Sequence, residues 1–102
     1  MGVAVRHKGK LAAQATFKGR AGHSALAPHA LNAIHLASDF ISQLRDLQES
    51  LAAPFAGGDT TKIPYTTVHA GIINGGTSLN IVPDTCTAVS YTHLTLPTIC
   101  SV

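Results

Sequence analysis

The residues able to do chemistry here are mainly histidines: the chain carries six, against five acids and two cysteines. A metal is the first chemistry that count suggests, but the spacing does not support it. His29 and His35 have no i, i+4 partner, and neither HExxH nor any comparable cluster occurs. The acids are scattered, mostly along one polar helix face. Ser24 follows His23 directly, and neighbours in sequence do not make a nucleophile–base pair.

Two stretches stand above that background. The first is AGHSA, residues 21–25, which sets His23 among small residues in a glycine-rich loop. An exposed, mobile imidazole there could donate an N–H, or act as a cation, toward charge developing on a substrate oxygen. Spacing alone favours an idle loop histidine. The second is GGTSLN, residues 75–80. Free backbone N–H groups together with Thr77, Ser78 and the Asn80 amide could hold a carboxylate. Spacing alone favours an ordinary hairpin, which Asn74-Gly75 signals directly.

These loops need a scaffold, and the composition provides one. The chain has 102 residues, 45% hydrophobic and 12% charged, enough for one small domain with a modest core. A net charge of +2, with no basic run interleaved with aromatics, gives no reason to expect nucleic acid. No apolar run spans a bilayer, the first ten residues lack a signal peptide's apolar core, and Arg6 stands where myristoylation requires Ser or Thr. Cys86 and Cys100 have neither metal-ligand nor disulfide-framework spacing. The expectation is a reduced, cytoplasmic protein.

Along the chain, residues 3–6 read as a short strand broken by HKGK. Leu11, Ala13, Ala15 and Phe17 then alternate with polar or small residues as a half-buried strand ended by Gly19. Residues 19–30 read as loop. Ile34, Leu36, Ala37, Phe40, Ile41, Leu44, Leu47 and Leu51 share one face of a long helix, with Gln48 alone on the wrong side, and the helix must stop near Pro54. Residues 52–64 read as a flexible connection. A strand over residues 65–73 puts Val68, Ala70 and Ile72 on one face and Thr67, His69 and Gly71 on the other. After the turn comes a further strand, interrupted by Pro83. One helix against an antiparallel sheet gives a two-layer α+β sandwich.

The wording HKGK, then FKGRAGHSALAPHALNAI, then PYTTVHAGIINGGTSLNIVPDTC resembles the lid, or dimerisation, domain of the M20 metallohydrolase family over residues 2–89. Within that family it most resembles the acetylornithine deacetylases. The resemblance implies a partial ferredoxin-like fold with one helix present and the second missing, inserted in a separate catalytic domain that binds zinc or cobalt. It implies a homodimer formed through this domain, a small N-acyl amino acid substrate, and no nucleic acid or membrane partner. It also implies that His23 reaches the other subunit's active site to stabilise the oxyanion, that Asn80 contacts substrate, and that Gly76 and Thr77 shape the same pocket. No metal ligand of the family falls on this chain, so by itself it is expected to bind no metal and to be inactive. Other readings of the same skeleton are a succinyl-diaminopimelate desuccinylase, another N-acyl amino acid or peptide hydrolase, or a non-enzymatic dimerisation or anion-binding module.

The resemblance also sets a boundary. The family continues past the VPD stretch to an acid and a substrate-binding Arg, which would stand at His93, but this chain reads SYTHLTLPTICSV. The expected division is a lid-domain fragment at 1–89 and a non-native-looking, disordered tail at 90–102, in which His93 and Cys100 carry no function. With the second helix missing, part of the apolar sheet face lacks cover. The isolated chain is therefore predicted to self-associate or to be poorly soluble, which size-exclusion chromatography would show. A sharp, cooperative melt of a soluble monomer would contradict this.

Overall fold

The computed structural model describes residues 2–56 and 63–101. Five strands occur among them: β1 (Gly2–Lys18), β2 (Gly22–His23), β3 (Thr67–Gly75), β4 (Ile81–Val82) and β5 (Thr85–Ser101). A 3-10 helix, Ser24–His29, precedes the single long helix α1, Ala33–Ala52. The main sheet is antiparallel in the order β1-β5-β3, and α1 packs on one face of it, as the α+β reading requires. β2 and β4 form a separate two-stranded sheet.

Helix α1 starts at Asn32, whose Oδ1 accepts from the amides of Ile34 (2.8 Å) and His35 (3.2 Å), an N-cap that satisfies two orphan donors. It ends where Pro54 enters a short 3-10 turn, Ala53–Phe55, and Phe55 packs on Tyr65 at 5.7 Å to lead the chain back toward β3. Of the expected connection over residues 52–64, residues 57–62 lie outside the described residues.

The helix–sheet core is made of small side chains. Ala33, Ala37, Cys86 and Ala88 are essentially fully buried, and Phe17 on β1 stacks against Phe40 on α1 at 5.4 Å. Gly75 belongs to the same contact: a Cβ there would stand 2.9 Å from Cys86 Sγ and 3.2 Å from Ile34 Cγ1. The helix therefore approaches the sheet closely because little side-chain volume separates them.

Several sequence expectations need correcting. β1 is one continuous strand through HKGK, because seventeen unbroken rungs pair it with β5, from Gly2↔Ser101 to Lys18↔Thr85, and one glycine does not outweigh that ladder. The stretch from Ser90, expected to be disordered, continues β5 to Ser101; its Thr, Tyr and Ile content suits an extended chain. Thr66 extends the β3–β5 pairing there, its hydroxyl accepting from the Thr95 amide (3.0 Å) and donating to the Thr95 carbonyl (3.2 Å). Asn74-Gly75 is not a two-residue hairpin: β3 runs to Gly75, paired with Cys86, and residues 76–84 with β4 make a wide connection.

The alternation along β3 also changes phase. The register shifts between Ala70 and Ile72, so Val68 and Ala70 share the helix face with Thr92 and Ser90, while Ile72 pairs with Val89 on the opposite face. His69 lies on that open face against Tyr91, which also contacts His93 edge-on.

On α1, Leu47 is 46% exposed and Gln48 takes the inward position. Gln48 Nε2 donates to the Thr66 carbonyl (3.3 Å), and the Val68 amide donates to Gln48 Oε1 (2.8 Å). The residue that broke the apolar stripe therefore serves as a side-chain rung for the outer edge of β3. Farther out on β1, Leu11 is 56% exposed, beyond the reach of the single helix.

Replacing Gln48 by Leu keeps the bulk but orphans a part-buried amide and carbonyl. We predict a loss of about 1–3 kcal/mol in chemical denaturation and faster amide exchange at Val68. Unchanged Val68 exchange would show that Gln48 does not anchor β3.

Candidate functional site

The two chemically promising stretches lie far apart in sequence, and the small sheet joins them. Gly22 pairs with Val82 and His23 with Ile81. The Ser24 amide donates to the Asn80 carbonyl at 2.9 Å. His23 and Asn80 therefore occupy neighbouring positions on one two-stranded platform.

The loop bearing His23 is exposed, as expected, but it is tied down rather than free. Its neck is closed by two backbone bonds, Arg20 N–H to Leu31 O (2.8 Å) and Leu31 N–H to Arg20 O (3.0 Å). The Arg20 guanidinium also donates twice, through Nε and Nη2, to the His29 carbonyl. At the top of the loop His23 has extended backbone, φ −65° and ψ 144°, and its side chain caps the 3-10 helix: the Ala25 amide donates to His23 Nδ1 at 3.0 Å. This compact loop with a closed neck presents the imidazole from a fixed base.

The opposite loop is equally local in origin. The Ile81 amide donates to the Ser78 carbonyl at 3.2 Å, closing a β-turn with Leu79 and Asn80 at its centre. The Ser78 hydroxyl donates to Asn80 Oδ1 at 2.7 Å, which orients the amide and leaves its Nδ2 as a donor. Leu79 is fully exposed at the tip, and Leu26 is exposed across the loop. Sequence reasoning passed over both; two unshielded leucines flanking His23 and Asn80 were the available signal.

Gly76 has φ +93°, the left-handed region that favours glycine, and lies near Ile34 at the start of α1. Thr77 follows on the same exposed loop. Among the described residues no hydrogen bond joins either to His23, and the backbone contact between the two loops runs from Ser24 to Asn80.

The donors present do not fit a metal. Among the described residues no three His, Cys, Asp or Glu side chains gather. Cys86 is buried in the core as a free thiol. Among the same residues no helix is long and apolar enough to cross a membrane.

Comparison with known proteins agrees with this architecture. The chain is 33% identical over 85 residues to acetylornithine deacetylase of Myxococcus xanthus, covering 78% of this chain and 21% of that protein. It is 34% identical over 80 residues to acetylornithine deacetylase of Proteus mirabilis, covering 78% and 20%. The chain thus spans about a fifth of the length of the curated relatives it matches. The crystal structure of aminopeptidase PepT from Bacillus cereus superposes with a TM-score of 0.52 at 24% identity, over 90% of this chain and 21% of that one, a likeness of fold. Residues 5–92 match the model of the M20 peptidase dimerisation domain, and the chain belongs to that family.

Proposed function

We propose that this domain is the lid of a dimeric, metal-dependent M20 amidohydrolase that removes the acetyl group from N-acetyl-L-ornithine. The observation that carries the reading is the pairing of the His23 loop with the Asn80 turn, which joins the backbones of the two chemically promising stretches through one small two-stranded sheet. The relatives named acetylornithine deacetylase support the substrate.

In this reading His23 donates a hydrogen bond to the oxyanion formed when water adds to the amide carbon. Asn80 Nδ2 contacts the substrate near its carboxylate, and Gly76 and Thr77 shape the wall beside it. In this reading residues of the separate catalytic domain would hold a zinc or cobalt ion, which would supply the activation of the water; among the described residues of this chain no three His, Cys, Asp or Glu side chains gather. A second copy of the domain supplies the dimer contacts, and the enzyme works in the cytoplasm.

We also place the functional domain at residues 1–89 and read 90–102 as appended. Strand pairing is a backbone interaction, so an appended stretch of this composition extends the β5 ladder along β1 whatever its origin. Re-sequencing the source DNA across codons 84–102 tests this. A frame that continues into an acid-x-Arg strand supports the reading, and confirmation of SYTHLTLPTICSV in the source overturns it.

The catalytic roles are tested in the full-length enzyme carrying this segment. His23→Ser, which keeps an N-cap acceptor but removes the ring, is expected to lower kcat on N-acetyl-L-ornithine by about 10²–10³. Asn80→Ala is expected to act mainly on KM. A His23→Ser enzyme with unchanged kcat would remove His23 from the chemistry. Preference for a succinylated or peptide substrate would reassign the specificity, and failure to hydrolyse any N-acyl amino acid would leave a binding or dimerisation module.

A further inference from the structure

We propose that the Ala25 amide sets the tautomer of His23, so that the neutral ring carries its proton on Nε2 and offers that N–H as its only donor. N-caps are usually Ser, Thr, Asp or Asn, whose oxygens accept without regard to a proton. His23 does the same work with a ring nitrogen: the Ala25 amide donates to Nδ1 at 3.0 Å. An imidazole nitrogen accepts only when it is bare. The cap therefore fixes the proton on the other nitrogen, and a cap of ordinary strength biases the tautomer ratio by roughly fivefold.

The ring is placed for this by backbone contacts on both sides. The pairing of His23 with Ile81 and the bond from the Ser24 amide to the Asn80 carbonyl hold the main chain. Nδ1 is as far along its side chain as the Oδ1 of an asparagine cap, so it meets the Ala25 amide without displacing the turn. Nε2 has no partner among the described residues and stays available to a ligand oxygen. Ala25 is thus a positioning residue acting through its main chain: it converts a ring that could present either nitrogen as donor into one with a single, directed N–H. The functional meaning rests on the hydrolase reading above, but the tautomer does not.

The test is nitrogen-15 NMR of the imidazoles in the 102-residue chain at a pH where the rings are neutral, in solution or on sedimented protein. The expected result is a bare Nδ1 and a protonated Nε2 at His23, with a scalar coupling between Nδ1 and the Ala25 amide nitrogen. Ala25→Pro, which removes the donor, should abolish that coupling and shift the His23 tautomer ratio toward that of the exposed His35 in the same chain. A protonated Nδ1, or an absent coupling in the unaltered chain, overturns the proposal. The unaltered chain decides the matter even if the proline variant does not fold. Because no substrate is involved, a confirmed tautomer beside a fully active His23→Ser enzyme would sink only the hydrolase role. The reverse pattern would sink only the tautomer.

Discussion

The structure depends on one crowded junction around Gly19. The Gly19 amide donates to the Asp84 carbonyl at 2.8 Å, the Ala33 amide at the start of α1 donates to the Pro83 carbonyl at 2.9 Å, and Arg20 pairs with Leu31 beside them. The end of β1, the first turn of the helix and the β4–β5 corner all meet there through main-chain atoms. A Cβ at Gly19 would run into the Leu31 carbonyl oxygen and stand 3.0 Å from the Ala33 amide nitrogen. Only glycine lets these segments approach this closely. Pro83 fits the corner because the chain changes sheets there: β4 pairs with β2, β5 pairs with β1 and β3, and a residue without an N–H takes nothing from either ladder.

From that junction the rest is placed in order. The helix is held to the sheet by small core residues at its start and by Gln48 at its far end, so it lies along β3 and β5 and leaves the outer part of β1 bare. The His23 loop leaves the junction and returns to it, which fixes the loop's neck. β4 leaves it in the other direction, which brings the Asn80 turn alongside. The candidate site is therefore a product of backbone closure, with little contribution from the hydrophobic core.

The functional groups stand on exposed loops at one end of a sheet, away from the packed layer, so their chemistry can change without disturbing the fold. The main chain of His23 is paired and its ring caps the following turn, so local hydrogen bonds fix where the imidazole stands.

The sequence alone determined the elements with strong local signals. The 3.6-residue stripe of α1 and the alternation from Leu11 to Phe17 each depend on nearby residues, and both elements form, although Leu11, Ile34 and Leu47 stay exposed. The AGHSA and GGTSLN stretches were visible as chemistry because small and polar residues cluster there. Tertiary structure decided what depends on distant partners. It extended β1 through Gly9 and carried β5 past Ser90, because each strand is the other's ladder. It turned Gln48 from an apparent defect into an edge rung, and it flipped Ile72 across the sheet through a bulge. Above all it brought His23 to Asn80, fifty-odd residues away along the chain. Local propensity cannot encode that pairing, because it comes from long-range backbone hydrogen bonds and the missing side chain at Gly19.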